Sequence, residues 1–296
     1  MSAYCVTGSS GFLGSEFVRQ LLCSGSKVVG LDKTVSEPSS NQFQYCYFDL
    51  LKVDTIRSMA LEQRVVIHCA GISDLYEAQQ SLIETIQANF IGTLELARQF
   101  VDRYGDQGDA VFIYASSVYA VVDSQNFYGL SKFMTEQYLI ALFAGVKAKC
   151  MIMRFGSIFG GGSGLNNGIR KMIESGVKDG RVVYDGYSDS VRDYIHVSDA
   201  VALTLKEIQS PRNNETVVCT VTGGSPRPVS EVANSLTAIL GLDQDPIFRN
   251  TKNSLNYRSS PASHSYVTLK KLTPEYETEL EEQLVRLIEE MSSQQE

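Results

Sequence analysis

A short apolar strand, Ala3–Val6, runs directly into Thr7-Gly8-Ser9-Ser10-Gly11-Phe12-Leu13-Gly14, and Phe12, Leu13 and Phe17 then open a helix. No other stretch of the chain restricts its fold as much. Between a strand and a helix, glycines in this pattern make a phosphate-holding turn: Gly8 permits the tight turn, Gly11 lets backbone approach a pyrophosphate, and Gly14 allows close helix–strand packing. The phosphates would meet the free amides and the positive dipole end of the helix. A glycine-rich turn that holds nothing is the alternative, and the flanking strand and helix argue against it.

The rest of the first half repeats the alternation that such a unit needs. Ala3–Val6, Lys27–Leu31, Phe43–Phe48, Val65–Cys69, Ala110–Ala115 and Lys149–Phe155 read as strands, with helices predicted at Gly11–Cys23, Asp54–Leu61, Ser81–Tyr104 and Phe127–Gly145. Strands alternating with helices make a doubly wound α/β sheet, the Rossmann arrangement. Within Ser81–Tyr104, a buried stripe is predicted through Leu82, Ile86, Phe90, Leu94, Ala97 and Val101. After Gly156 the texture changes to a glycine loop, Gly160 to Gly164, and shorter segments with helices at Ile169–Gly176, Val197–Ile208, Val229–Leu240 and Glu275–Met291. The last of these places Leu280, Leu284, Leu287, Ile288 and Met291 on one face.

Composition narrows the partners. The 296 residues carry a net charge of −8 and no basic run, which gives a nucleic-acid role no support. The apolar runs are strand-length, so no membrane span is expected. Cys5, Cys23, Cys46, Cys69, Cys150 and Cys219 are scattered, and the N-terminus enters a strand with no signal-peptide pattern; both point to a reduced, cytoplasmic enzyme. His68, His196 and His264 lack ligand spacing, so no metal site is expected.

Asp32 closes the second strand eighteen positions after Gly14. An acid there hydrogen-bonds a ribose diol and repels a 2′-phosphate, which favours NAD over NADP. Lys33 leaves room for the phosphate, and Asp32 as a simple turn cap stays open. Asp49, ending the third strand, suits an adenine edge or a turn equally well. Tyr128 and Lys132 stand four apart in a predicted helix and so share a face. A neighbouring ammonium stabilises a phenolate, which lets the tyrosine act as a base below its usual pKa of about 10.

These residues resemble the extended short-chain dehydrogenase/reductases, in the NAD-dependent nucleotide-sugar epimerase and dehydratase branch. The resemblance covers nearly the whole chain. It is carried by Thr7–Gly14, Asp32, Asp49-Leu50, His68-Cys69-Ala70-Gly71, Asn89 in Ala88–Thr93, Ser116-Ser117, Tyr128 with Lys132, Arg154–Gly160 and Arg192–Ala200. The last stretch is similar to the corresponding segment of the UDP-galactose 4-epimerases.

The resemblance implies that residues 1–156 and part of 192–222 form the dinucleotide domain, with 157–191 and 223–296 a smaller nucleotide-sugar domain. It makes Tyr128 the base, gives Lys132 the nicotinamide ribose, and has Ser117 order the sugar hydroxyl, with Ser116 the weaker candidate. By the same likeness Gly8, Gly11, Phe12, Leu13, Gly14, Asp32, Lys33, Asp49, Leu50, Cys69, Ala70, Gly71 and Ser116 surround the cofactor, and Asn89 fastens a strand to the long helix. Arg192 would clamp a diphosphate, Arg258 is a second such arginine or a solvated one, and Ser157 replaces a common asparagine beside the substrate phosphate. A homodimer formed through Ser81–Tyr104 and Phe127–Gly145 is implied as well.

Dehydratases of this family carry an aspartate–glutamate pair just after the catalytic hydroxyl residue. Here Ser117-Val118-Tyr119-Ala120 has no carboxylate, which disfavours water elimination. Epimerisation at C4 through a 4-keto sugar, and plain dehydrogenation or ketoreduction, both remain. A non-catalytic NAD-binding module is the third reading. The short Ser117–Tyr128 stretch, which in sugar epimerases is longer and helps cover the sugar, keeps the first two open.

Overall fold

A computed structural model describes residues 3–35, 38, 40–58, 61–121, 126–210, 216–249, 269–274 and 280–293. Its centre is one sheet of eight parallel strands, Ala3–Thr7, Lys27–Asp32, Phe43–Tyr47, Val65–His68, Val111–Ser117, Lys149–Phe155, Val217–Val221 and Leu269–Leu272, numbered β1 to β8 in that order. They lie side by side as β8-β7-β6-β5-β4-β1-β2-β3. The chain starts at β1, lays β2 and β3 on one side, then crosses to β4 on the other. The order therefore reverses between β1 and β4, and in open parallel sheets ligands bind beyond the carboxyl ends of the strands at such a point.

Alternation along the strands feeds two apolar layers. Cys5, Leu31, Val66, Phe112 and Ile152 meet Leu96, Phe100, Tyr104 and Leu139 of the helices Thr93–Tyr104 and Phe127–Leu142 on one face. On the other, Tyr4, Val6, Ile67, Ile113 and Met153 meet Phe17, Leu21, Ala200 and Val201 of the helices Phe12–Cys23 and Val197–Ile208. A separate cluster joins Phe159, Ile169, Met172, Val232 and Leu236 to Leu284 and Leu287 of the helix Leu280–Ser293. The predicted stripe of that last helix is thus a packing face. The stretch 223–296 is not wholly apart from the sheet, because Leu269–Leu272 pairs with β7 as its outer strand. All six cysteines are free. Among the described residues, no helix is long and apolar enough to cross a membrane.

The predicted helix Ser81–Tyr104 is broken. It runs as Leu82–Thr85, then a π-helical segment Ile86–Gly92, then Thr93–Tyr104, preceded by a separate helix Leu75–Gln80. Its inward face is Thr85, Ala88, Asn89, Gly92, Thr93, Leu96, Ala97, Phe100 and Tyr104. Of the predicted stripe only Ala97 is fully buried; Leu82, Ile86, Phe90, Leu94 and Val101 are half-buried. The physical reason is that this helix turns small and polar groups toward backbone it must hydrogen-bond, not toward an apolar sheet alone.

Candidate active site

A cavity of about 790 Å³ opens at the carboxyl ends of β1 and β4. Its floor is the glycine turn. Gly8 has φ 67°, a left-handed conformation, and a Cβ there would meet the Ala70 amide nitrogen at 2.7 Å. A Cβ at Gly14 would overlap the Gly8 carbonyl. The helix Phe12–Cys23 starts at Gly11 with no side-chain cap, leaving its first amides for a ligand. Gly8, Gly11, Phe12, Leu13, Gly14, Asp32, Lys33, Asp49, Leu50, Cys69, Ala70, Gly71, Ser116, Ser117, Tyr128 and Lys132 all line the cavity.

Asp32 both faces the cavity and braces it, accepting from the amides of Ser10 at 3.0 Å and Thr34 at 2.9 Å. Asp49 likewise faces the cavity while it caps a turn through the Leu51 amide at 3.1 Å. Each acid therefore braces a turn while facing the cavity, so the turn role leaves it within reach of a ligand. Asn89 does not line the cavity. Its side chain accepts from the Ile72 amide at 2.7 Å and donates to the Ile72 carbonyl at 2.8 Å and to Ser131 at 3.1 Å. It fixes the segment after β4 to two helices and reaches the cofactor site only through Gly71 and Ile72.

Beneath the floor lies a group that the sequence did not single out. The Thr7 hydroxyl accepts from the Ala70 amide at 3.1 Å and lies 2.6 Å from His68 Nδ1, and His68 Nε2 lies 2.8 Å from the Thr93 hydroxyl. Thr93 also lies 3.4 Å from the Ala88 carbonyl, so both ring nitrogens of His68 have a hydroxyl partner. Burial, with the Lys132 charge adding, pushes His68 down to about 3, so the ring is neutral. The clue in sequence was Thr7 itself, placed directly before Gly8.

At the catalytic end, Tyr128 is the second residue of the helix Phe127–Leu142, whose start Asn126 caps by accepting from the Gly129 amide at 2.6 Å. Ser117 ends β5, its hydroxyl accepting from the Tyr119 amide at 3.2 Å and lying near enough to the Tyr128 phenol to favour its ionised form. Ser116 is turned elsewhere and donates to Glu136 at 2.5 Å. Of the two serines, Ser117 is the one that faces the phenol. Lys132 Nζ donates to the Ala115 carbonyl at 2.8 Å, 4.8 Å from the Tyr114 ring centre and 5.8 Å from that of Tyr128.

Protonation does not follow the simple picture of an ammonium lowering a phenol. Burial pushes Tyr128 up to about 12, opposed by the Ser117 hydrogen bond. Burial also pulls Lys132 down to about 8, opposed by Cys69 and Glu136. Desolvation dominates both groups because each is almost fully enclosed.

The predicted substrate residues fare differently. Ser157 and Arg192 do not line the cavity, although Gly156 and Ile158 do. Arg192 is buried on the short strand Val191–Arg192, its Nη1 donating to the Val191 carbonyl at 2.9 Å. Arg258 lies outside the described residues. The cavity wall is instead completed by Asp74 and Asn166, joined across 92 positions of sequence by a 2.6 Å hydrogen bond from the asparagine amide to the carboxylate. The other Asp74 oxygen caps the helix Leu75–Gln80, accepting from the amides of Tyr76 and Glu77; the sequence reading named neither that cap nor the cross-cleft partner.

The family model for the NAD dependent epimerase/dehydratase family matches residues 4–219, and the chain belongs to that family. It is an enzyme of the NAD-dependent short-chain dehydrogenase/reductase superfamily, and the glycine floor, the uncapped helix start and Asp32 fit NAD. Among its relatives are a UDP-glucose 4-epimerase of Haemophilus influenzae, 28% identical over 72% of this chain and 75% of that protein. A GDP-6-deoxy-D-talose 4-dehydrogenase of Aggregatibacter actinomycetemcomitans is 25% identical over 74% of this chain and 75% of that protein. In three dimensions the chain is similar to a UDP-glucose 4-epimerase of Thermotoga maritima, with TM-score 0.83 and 21% identity over 99% and 100% of the two chains.

Proposed function

We propose that the protein is a nucleotide-sugar epimerase that inverts C4 through a transient 4-keto sugar, with Tyr128 as the base. The observation that supports this most is the placing of Tyr128, Ser117 and Lys132 on the same cavity as the glycine turn and Asp32. When bound, NAD supplies the hydride acceptor and a positive charge. Tyr128 removes the proton of the C4 hydroxyl, and Ser117 hydrogen-bonds the carbonyl oxygen as it forms. After the keto sugar turns over, Tyr128 returns the proton on completion of the reverse step.

The phenol must ionise for this. Bringing a group from about 12 to near 7 takes roughly 7 kcal/mol. Lys132, its Nζ 5.8 Å from the Tyr128 ring centre, and the positive charge of bound NAD are the two sources of that stabilisation. Ionisation is thereby tied to cofactor binding, which keeps the base inactive until a hydride acceptor is present.

A second reading is a dehydrogenase or ketoreductase of the same family, on another nucleotide-sugar or on a polyol without a nucleotide. It is supported by the short Ser117–Tyr128 stretch and by the 4-dehydrogenase among the relatives. UDP-galactose with NAD separates the two. Product epimer without net reduced nicotinamide supports the epimerase, and stoichiometric reduced cofactor the dehydrogenase. Neither product with this sugar or its UDP- and GDP-linked analogues counts against both.

The remaining proposals concern setting. Residues 1–156 with part of 192–222 act as the cofactor unit, and 157–191 with most of 223–296 as the substrate unit. Exposed Ile83, Ile91, Leu130, Phe133 and Tyr138 on the helices of one face suit a homodimer, to be checked by light scattering. A cytoplasmic location follows from the cysteine usage.

A further inference from the structure

The helix Phe127–Leu142 turns a polar residue inward every four positions: Tyr128, Lys132 and Glu136, which are 9%, 6% and 0% exposed. The first two serve the proposed chemistry, and the third has had no part in it. Glu136 holds Arg154 of β6 through three contacts, Nη2 to Oε2 at 2.6 Å and Nε to the two oxygens at 2.9 and 3.1 Å. Ser116 of β5 donates to the same carboxylate at 2.5 Å. Ser116 and Arg154 are register partners across β5 and β6. One carboxylate therefore ties a helix to the ends of two adjacent strands.

That tie sits directly behind the reacting groups. Ser117 follows Ser116, Lys132 lies one helical turn before Glu136, and the Ala115 carbonyl that receives Lys132 precedes Ser116. Arg154 and Glu136 are themselves enclosed, at 2% and 0% side-chain exposure. Taking two charges out of water costs several kcal/mol per ion, and apolar groups of like volume are often as stable or more so. Stability alone is thus a poor reason for the pair. Bidentate charged hydrogen bonds differ from apolar packing in being directional: they admit one relative placement of helix and strand.

We propose that Glu136, Arg154 and Ser116 form a positioning assembly that sets the Ser117 hydroxyl against the Tyr128 phenol and fixes Lys132 beside it. For its kinetic readout the inference rests on the role proposed above for Tyr128. Its structural readout does not.

The test is the apolar triple variant Ser116→Ala, Glu136→Leu, Arg154→Met, studied beside Ser116→Ala alone and the amide pair Glu136→Gln with Arg154→Gln. The triple variant is expected to keep its melting temperature and NAD affinity and to leave KM unchanged, while kcat falls about 30- to 100-fold, as a misplacement near 1 Å produces. In its crystal structure the Ser117 hydroxyl should be displaced from its place against the Tyr128 phenol. Ser116→Ala deletes one hydrogen bond and no volume of consequence, so it decides the matter even where the triple variant does not fold. It should lower kcat about fivefold with KM and melting temperature unchanged. The amide pair restores an acceptor for Ser116 and should recover most of the turnover that the triple variant lacks.

Unchanged kcat in Ser116→Ala, or in a folded triple variant, overturns the proposal. So does a fall in kcat that merely follows loss of folded protein or of NAD binding. An unchanged placement of the Ser117 hydroxyl against the Tyr128 phenol in the triple variant overturns it whether or not any sugar is turned over. Full turnover by Tyr128→Phe, by contrast, overturns the assignment of the base and leaves the structural readout standing.

Discussion

The two walls of the cleft are held by different means. On the β1–β2–β4 side, main chain binds main chain: the Gly8 amide donates to the Leu31 carbonyl at 2.8 Å and the Cys69 amide to the Thr7 carbonyl at 3.1 Å, with the buried His68 pair beneath. The side formed by residues 156–167 is joined to the first wall, among the described residues, by the bridge from exposed Asn166 to half-buried Asp74. The first wall is fixed many times over, because a nucleotide phosphate needs backbone amides within tight tolerance. The second has its own main-chain anchors, such as the Gly156 amide on the Val221 carbonyl at 2.9 Å, but meets the first wall through exposed side chains. A fold that keeps its cofactor and changes its substrate varies where few contacts must change together.

That contrast breaks most visibly at Gly8. Valine at φ 67° is strained and its Cβ runs into Ala70, so Gly8→Val should weaken NAD binding by at least about 100-fold, measured by calorimetry. Near-normal affinity would mean that the floor is not the phosphate site.

The next effect is on stability. His68 is held down at about 3, whereas in the unfolded chain it titrates near 6.5, so the unfolded chain gains a proton that the folded one refuses. Stability is then lost as pH falls from about 6.5 toward 3, amounting to about 2 kcal/mol by pH 5. His68→Gln should flatten the fall in melting temperature between pH 7 and pH 5. An identical slope in the variant would show that the histidine is not enclosed as described.

Asp32→Ala removes a charged acceptor from the ribose end and should weaken NAD about tenfold while raising the NADP-to-NAD affinity ratio. A ratio that does not move assigns Asp32 only its bracing of Ser10 and Thr34. Smallest is Asn166→Ala on the opposite wall. Loss of one exposed hydrogen bond should raise the substrate KM about threefold and leave NAD affinity alone. If NAD affinity falls instead, the two walls are not separable.

The same division explains what could be read in the sequence. Thr7–Gly14, Asp32 and the Tyr128/Lys132 spacing were legible because each lies within a contiguous segment whose local geometry dictates its use. The preference for Ser117 over Ser116 came from the resemblance, and its physical cause waited for the fold, since Ser116 is taken up by Glu136 twenty positions away. The helix break at Ile86–Gly92 escaped because apolar spacing from Leu82 to Leu94 advances by fours, which reads as a helical stripe yet exceeds 3.6 residues per turn. Wider turns absorb the excess and bring Thr85, Asn89 and Thr93 inward. The Asp74–Asn166 bridge joins two loops that no periodicity relates. Arg192 came from a motif match alone, and strand pairing with Arg227–Pro228 buries it off the lining of this cavity.

Tyr128→Phe, assayed with UDP-galactose or whichever nucleotide-sugar the wild type turns over, tests the central claim most directly. The account predicts NAD affinity close to wild type and kcat reduced by about 1,000-fold or more, because the phenylalanine keeps the ring and removes the oxygen assigned to take the proton. Turnover within a few-fold of wild type, at equal NAD occupancy, would contradict it.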